Sequence, residues 1–194
     1  GCGSSGCMTE EVRAEIYGSD YVFAAKRILD IVKTPAKTYP YYTSKDILPV
    51  LRKLRNEHVQ GFKVTVLFSG DTGFYSGCEK MQEELIAEGY VDLRIMPGVS
   101  SVSMLAAKTG ISWQDACIIS THGIDESKWT AELMKSVPFN KKTFFITSGV
   151  KDVDSVFSLL LENRLADVEV KLGYKLSYAD EKIYSFKAKE YKLL

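Results

Sequence analysis

The sequence has no apolar segment close to the roughly 20 residues that a membrane-spanning helix needs. It also does not open with the positively charged and then apolar leader that directs secretion. Together these two absences predict a cytoplasmic protein that does not use a membrane as a partner.

Cysteine and histidine are scarce, with 4 and 2 residues respectively. The histidines, His58 and His122, are far apart in the chain. Neither a disulfide framework nor a protein-bound metal is therefore expected. The cysteines are scattered and form no pair with metal-ligand spacing: Cys2, Cys7, Cys78 and Cys117.

An excess of one charge sign is also missing, because 25 basic and 25 acidic side chains give a formal net charge of 0. Without a global field, the chain is not expected to attract nucleic acid, and an acidic ligand must be met by local cations. Trp113 and Trp129 are interpreted as packing groups rather than base-stacking platforms. What remains is a globular composition over 194 residues, with 45% hydrophobic and 26% charged residues, enough for one large domain or two small ones.

The apolar run Val64–Phe68 predicts a strand covered on both faces in a parallel sheet. The run stops at Ser69, and the loop 69–76 then contains Gly70 and Gly73, which permit backbone angles closed to other residues. A helix is predicted to follow. Small molecules bind at the carboxyl ends of strands in open α/β sheets. This loop is therefore the first candidate for function, and the alternative is a plain tight connection.

Three later segments repeat the order of a predicted strand and a loop of small residues. They are 91–96 before 97–102, 117–120 before 121–123, and 143–147 before 148–149. Ser100 or Ser101 is placed to cap the helix that follows the first of these loops. Loops that recur at one edge of a sheet are more informative than any of them alone, so the pattern favours a ligand site.

The remaining segments add helices, an antiparallel pair of strands and two candidate ligand contacts. Helices are predicted at 44–61, 125–136 and 152–163, and Ser44 is the predicted cap of the first. Strands are predicted at 20–25, 168–176 and 182–187, and the last two are expected to pair antiparallel. Lys26 and Arg27 could face either water or a carboxylate ligand. The tyrosine-rich stretch 39–42 could flank a large flat ligand or form an ordinary edge strand.

Gly1, Gly3 and Gly6 match the dinucleotide fingerprint G-x-G-x-x-G. A short apolar strand is expected to precede Gly1. The fingerprint needs a helix start open to a pyrophosphate, whereas Glu10 and Glu11 would repel one there. Asp20 comes too early to hold a ribose and Asp30 fits only roughly, so a nicotinamide-dependent or flavin-dependent protein is the weaker reading.

The ordered motifs of the chain resemble the tetrapyrrole (corrin/porphyrin) methylase family. The resemblance covers nearly the whole sequence and rests on Ser69-Gly-Asp-Thr-Gly-Phe-Tyr-Ser76, Pro97-Gly-Val-Ser-Ser-Val102 and Ser120-Thr-His-Gly123. Within the family, these motifs and the ending Leu176–Ile183 are most similar to the cobalt-precorrin-7 C5-methyltransferases of cobalamin biosynthesis. Two departures are Ser4-Ser5 in place of proline-glycine and Thr72 in place of proline.

The resemblance implies two α/β domains, residues 1–111 and 112–194, with S-adenosylmethionine held in a cleft between them. The acceptor implied is a corrin precursor, whose many carboxylates would suit Lys26, Arg27 and Tyr41 at the rim of its pocket. A homodimer and a separate C15-methylating decarboxylase are the implied partners. By position, the resemblance places these residues at the cofactor: Ser4, Ser69, Gly70, Asp71, Phe74, Ser100, Ser101, Ile146, Thr147 and Leu176.

Methyl transfer from a sulfonium depends mainly on positioning, which can supply roughly 7–11 kcal/mol. His122 is the candidate general base, since an unperturbed imidazole has a pKa of about 6.5; its alternative role is a structural hydrogen bond. Other functions left open are a diphthine synthase, a ribosomal RNA ribose methyltransferase, a nicotinamide-dependent oxidoreductase and a catalytically silent binding subunit.

Overall fold

The computed structural model describes residues 3–58, 60–139 and 141–193. The chain divides into two compact units, Gly1–Ser100 and Ser101–Leu194, here called the N-terminal and C-terminal units. The domain boundary expected after residue 111 stays a prediction. Gly1 and Cys2 lie outside the described residues, so the full glycine fingerprint cannot be traced in the structure.

The N-terminal unit alternates helices with strands, as the pattern of apolar runs predicts. The Thr9 side chain accepts the backbone N–H of Val12 at 3.2 Å, which caps the helix that begins at Glu10. The elements are α1 (Glu10–Tyr17), β1 (Tyr21–Ala24), α2 (Lys26–Leu29), β2 (Lys37–Tyr39), α3 (Ser44–Glu57), β3 (Val64–Leu67) and α4 (Cys78–Ala87).

The three strands form a parallel sheet in the order β2-β1-β3, with Tyr21 opposite both Lys37 and Val64. The central strand is therefore β1, in which Val22, Phe23 and Ala24 are fully buried. The prediction that the Val64–Phe68 run is covered on both faces is confirmed, because Val64, Val66 and Phe68 pack against one apolar cluster and Leu67 belongs to another. The strand β3 lies at the edge of this sheet, and its side chains before the last are only half buried.

Alternation along β1 sends its side chains to two separate apolar clusters. Phe23 packs with Ile47, Leu51 and Leu54 of α3 and with residues of α4. Val22 and Ala24 pack on the opposite face in a cluster that includes residues of α1 and α2. The helix predicted at 44–61 is confirmed, and it ends at Glu57. Its predicted cap is not, because Thr43 precedes the helix and Ser44 is its first residue.

The strand predicted at Val91–Met96 is wrong. Residues 91–100, all of which the structure describes, form neither helix nor strand. Val91 is 90% exposed, so its apolar side chain does not face a core. Arg94 instead forms ion pairs with Glu11 and Glu15 of α1. This segment is held by side-chain contacts rather than by a sheet ladder.

The C-terminal unit contains a parallel pair of strands, an antiparallel pair and three α-helices among its described residues. Asp125 caps the helix that begins at Glu126 by accepting the N–H of Ser127 at 2.9 Å. The antiparallel pairing predicted for the last two strands is confirmed. The elements are α5 (Ser101–Thr109), β4 (Cys117–Ser120), α6 (Glu126–Ser136), β5 (Thr143–Ile146), α7 (Val150–Glu162), β6 (Glu169–Tyr174) and β7 (Lys182–Lys187).

The core of the C-terminal unit joins β4, α6, α7 and the segment after β7. Phe157 stacks on Tyr191 with ring centroids 4.0 Å apart. Trp129 is buried among these residues, as predicted, whereas Trp113 is half exposed and is not a packing group. Within the described ranges, no helix is both long enough and apolar enough to cross a membrane.

Candidate functional site

The carboxyl ends of β1 and β3 lie side by side, because Ala24 is paired with Leu67. The residues that follow these strands therefore meet. The Arg27 guanidinium donates a hydrogen bond to the Ser69 hydroxyl at 3.4 Å. Lys26 instead pairs with Asp30 at 3.5 Å, on the exposed side of α2. Of the two predicted cations, Arg27 is the one that contacts the loop 69–76.

The loop 69–76 is shaped by glycine and by one carboxylate. Gly70 has a φ of +78°, a conformation that side chains rarely adopt. A Cβ added there would meet no atom within 4 Å, so the backbone borders open space. Asp71 folds the loop by accepting the N–H of Gly73 on Oδ1 at 2.8 Å. A ligand can therefore approach this backbone closely.

Asp71 and Thr72 also tie the loop to a second predicted loop. The N–H of Gly98 donates to Asp71 Oδ2 at 3.0 Å, and the Thr72 hydroxyl donates to the Met96 carbonyl at 2.8 Å. We call this pair of side chains the loop clamp. Because residues 96–98 belong to no helix or strand, the clamp replaces the backbone ladder that would otherwise hold them.

A comparable arrangement joins the ends of β4 and β5 in the C-terminal unit. The buried Thr121 donates its hydroxyl to Asp152 Oδ2 at 2.5 Å. The N–H of Ser148 donates to the same oxygen at 2.8 Å. These two donors hold the pKa of Asp152 below its ordinary value because they stabilise the carboxylate form. The Thr121 hydroxyl has the larger effect. Asp152, in the first turn of α7, thus fixes both strand ends.

His122 follows directly on this edge and is exposed. Its Nδ1 lies 3.0 Å from the hydroxyl of Ser120, and its backbone N–H donates to the same hydroxyl at 3.1 Å. Ser120 is itself 1% exposed, so it is a rigid anchor. The second ring nitrogen, Nε2, is not part of this contact. An imidazole oriented in this way can exchange a proton through Nε2.

Leu176 lies in the short connection between β6 and β7. A Cβ added at Gly173 would come within 2.8 Å of Leu176 Cδ2 and 3.0 Å of Leu105 Cδ1. The glycine therefore lets Leu176 and α5 lie against the backbone of β6. Leu176 is half buried.

Comparison with known proteins decides which family combines these features. The tetrapyrrole (corrin/porphyrin) methylase family matches residues 1–192. The chain belongs to that family. Its members are S-adenosylmethionine-dependent methyltransferases, so the predicted enzyme class and α/β fold of this methylase are confirmed.

A sequence relative and two solved structures are similar over most of this methylase. A probable cobalt-precorrin-7 C(5)-methyltransferase from Methanocaldococcus jannaschii is 28% identical over 87% of this chain and 77% of its own. The methyltransferase CobJ has a TM-score of 0.78 and 17% identity, over 97% of this chain and 83% of its own. The cobalamin biosynthesis precorrin-6Y methylase (cbiE) from Archaeoglobus fulgidus has a TM-score of 0.60 and 16% identity, over 97% of this chain and 86% of its own.

The structure groups part of the predicted site within each unit. In the N-terminal unit, the loop containing Ser69, Gly70, Asp71 and Phe74 is joined to the segment that ends at Ser100. Tyr41 follows β2 at the same carboxyl edge, is partly exposed, and stacks on Tyr39 with centroids 6.0 Å apart.

In the C-terminal unit, Ile146 ends β5 beside Thr121, Thr147 follows it, and Ser101 is the first residue of α5. In the N-terminal unit, Ser4 precedes the 3-10 turn Ser5–Cys7, and its hydroxyl is 3.5 Å from the Cys7 sulfur. The cofactor and substrate roles of all these residues stay predictions.

Sequence reasoning missed the residues that hold the loops rather than line them. The sequence shows Thr72 as a departure from the family's proline and as a residue that can hydrogen-bond locally or to a ligand, but it does not predict the bond to Met96. Asp152 and Ser148 gave no local signal, because their contact with Thr121 joins residues far apart in the chain.

Proposed function

We propose that this methylase transfers a methyl group from S-adenosylmethionine to carbon 5 of a precorrin intermediate in cobalamin biosynthesis. The choice of carbon 5 is supported by the relative from Methanocaldococcus jannaschii, whose name specifies that position. The structural observation that carries the proposal is the joining of loops 69–76 and 96–98 by the loop clamp. It brings together two of the three motifs that characterise the family resemblance.

The residues in these loops fit such a donor. S-adenosylmethionine supplies an electrophilic methyl group and carries polar groups that need close backbone contacts. Gly70 offers exposed backbone with open space beside it, and Ser69 offers a hydroxyl. We propose that Ser69, Gly70, Phe74 and the backbone around Ser100 hold the donor, with Asp71 fixing the shape of the loop.

The protein's main chemical contribution is alignment. The positive charge of the sulfonium disappears as the methyl group moves, so little new charge needs to be stabilised. Holding donor and acceptor in line can contribute roughly 7–11 kcal/mol through effective molarity. The two acid-anchored edges, at Asp71 and at Asp152, provide rigid supports of the kind this requires.

The acceptor is proposed to meet the N-terminal unit at the carboxyl edge of its sheet. A corrin precursor is an apolar ring that carries many carboxylates. Arg27 lies at this edge beside Ser69, and Tyr41 follows the neighbouring strand. A guanidinium can hold a carboxylate by two parallel hydrogen bonds. Arg27 is therefore the strongest candidate for binding an acceptor carboxylate, because it contacts the loop 69–76, whereas Lys26 lies on the exposed side of α2.

The decisive experiment is transfer of an isotope-labelled methyl group to purified corrin precursors, followed by NMR to locate the label. We expect label at carbon 5. Parallel reactions with cobalt-containing and cobalt-free precursor identify the natural form. Label at another ring carbon would reassign the position while retaining the class.

Calorimetry with S-adenosylhomocysteine and with NAD tests the class independently. We expect saturable binding of the first and none of the second. Binding of NAD alone would favour the oxidoreductase reading, and binding of neither would favour a silent subunit.

Arg27→Gln provides a test of acceptor binding. We expect a KM for the corrin precursor about tenfold higher, because one charge-assisted contact is lost. Affinity for S-adenosylhomocysteine should change by less than about twofold. Lys33→Gln, at an exposed lysine just beyond the same helix, is the matched control. An unchanged KM in Arg27→Gln would exclude this contact.

The assembly and location of this methylase are further proposals. A homodimer is expected from the family resemblance, and sedimentation of the purified chain would test it. A functional link to a C15-methylating decarboxylase can be tested by co-purification of the two proteins. A cytoplasmic location can be tested by cell fractionation.

A further inference from the structure

The connection between β6 and β7 contains two residues in a conformation that ordinary side chains rarely adopt. Lys175 has a φ of 47° and Ser177 has a φ of 69°, and they flank Leu176. A non-glycine residue in the left-handed region costs free energy, and such residues concentrate at functional sites. The strained segment therefore calls for an explanation beyond that of a simple hairpin turn.

Ser177 also has a buried hydroxyl oxygen with no hydrogen-bond partner among the described residues. Burial of a hydroxyl without a partner is unfavourable, and proteins satisfy nearly all such groups. Alanine at this position would avoid the cost. The serine thus combines a strained backbone with an unsatisfied polar atom.

The surrounding contacts hold Ser177 in this state. Its backbone N–H donates to Glu181 Oε2, and the other oxygen of Glu181 pairs with Lys108 of α5 at 2.7 Å. The N–H of Tyr178 donates to the Lys175 carbonyl at 3.0 Å. These bonds fix the backbone at Ser177 and leave its hydroxyl without a partner among the described residues.

We propose that the Ser177 hydroxyl is a hydrogen-bonding contact for the adenosyl cofactor. The inference rests on the proposed function and on the family resemblance, which places the neighbouring Leu176 at that cofactor. S-adenosylmethionine and its product carry amino, carboxylate, ribose hydroxyl and adenine groups. A serine hydroxyl can donate one hydrogen bond and accept others, so it can serve any of them. Bound cofactor would satisfy the oxygen that the protein leaves unpaired.

The test measures thermal stability and S-adenosylhomocysteine affinity in Ser177→Ala, using the full chain. A ligand contact predicts that the two quantities move in opposite directions. Without ligand, the melting temperature should be unchanged or higher, because an unsatisfied buried group is gone. The dissociation constant should rise about fivefold, as expected for loss of one hydrogen bond between neutral groups.

Two further variants separate the hydroxyl from the strain. Ser177→Gly removes both, and should weaken binding as much as Ser177→Ala does. Lys175→Gly relieves strain but keeps the hydroxyl, and should leave affinity within about twofold of the wild type. Ser158→Ala, at an exposed serine of α7, controls for loss of a hydroxyl elsewhere in the unit.

The outcomes distinguish this inference from the function on which it rests. Wild-type binding together with unchanged affinity in both Ser177 variants would overturn the hydroxyl contact and leave the proposed function standing. No binding by the wild type would overturn both. Weaker binding in Ser177→Ala and Ser177→Gly, with affinity retained in Lys175→Gly and Ser158→Ala, would establish the contact.

Discussion

Asp71 and Gly98, 27 residues apart, are joined by a hydrogen bond of 3.0 Å from the glycine N–H to the carboxylate Oδ2. The other oxygen of Asp71 accepts the N–H of Gly73. Both oxygens are thus engaged by the protein backbone. Asp71 was expected to contact the cofactor, but the geometry assigns it at least a second task, which is to hold two loops in register.

Asp71→Ala should weaken binding of S-adenosylhomocysteine about tenfold or more without unfolding the chain, because two bonds to a charged group are lost. Calorimetry gives the affinity, and circular dichroism checks the fold. Asp92→Ala, at an exposed residue of the segment that precedes the clamp, is the matched control. Unchanged affinity in Asp71→Ala would remove this residue from the cofactor site.

Thr72→Val should reduce stability by about 1 kcal/mol, because the bond from its hydroxyl to the Met96 carbonyl is lost at nearly constant volume. Thr72→Ser keeps the hydroxyl and should retain most of the stability. Denaturant unfolding of the two variants measures the difference. Equal stability would show that the second bond of the clamp contributes nothing.

Asp152 should make the stability of the chain depend on pH. Its pKa is lowered in the folded state by the Thr121 hydroxyl and the Ser148 N–H. A lowered folded-state pKa stabilises the fold above the unfolded value of about 3.9, and this contribution is lost as the pH falls through the folded value.

Asp152→Asn should therefore be less stable than the wild type at pH 7, by about 1 kcal/mol. The difference should shrink in acid, below the pKa of the unfolded chain. Urea unfolding at pH 7, 5 and 3 measures it. Glu162→Gln, at the exposed end of α7, serves as the comparison. If the wild type exceeded Asp152→Asn in stability by as much at pH 3 as at pH 7, the role given to the carboxylate would be contradicted.

Gly173→Ala should destabilise the chain by about 1–3 kcal/mol, because the new methyl group overlaps Leu176 and Leu105. Displacement of Leu176 should also weaken cofactor binding. Gly149→Ala adds a methyl group that meets nothing within 4 Å and is the control. Thermal melting measures the loss of stability, and calorimetry measures the affinity for S-adenosylhomocysteine. Lower stability with unchanged affinity would argue against a place for Leu176 in the cofactor site.

His122→Gln should lower kcat by about 10²–10⁴, as for loss of a general base, while the cofactor dissociation constant changes little. Steady-state methyl transfer and calorimetry separate the two effects. Ser120→Ala removes the anchor of Nδ1 and should lower kcat by a smaller factor. A normal kcat in His122→Gln would leave this histidine with its structural hydrogen bond alone.

Local sequence pattern predicted much of this methylase correctly. Apolar runs followed by glycine and serine loops are local signals, and they located β3, β4 and β5 together with the loops after them. The same signal failed at Val91–Met96. An apolar run does not reveal whether a neighbouring strand is available to pair with it, and here Val91 is exposed instead.

The sequence by itself determined the family, the order of most helices and strands, and the small residues at the carboxyl ends of the strands. Each of these follows from short-range periodicity or from motifs read in order. Only the tertiary structure decided that β1 is the central strand. It alone showed that Asp71 reaches Gly98 and that Asp152 reaches Thr121. Such bonds depend on how distant segments pack, and no local pattern encodes that geometry.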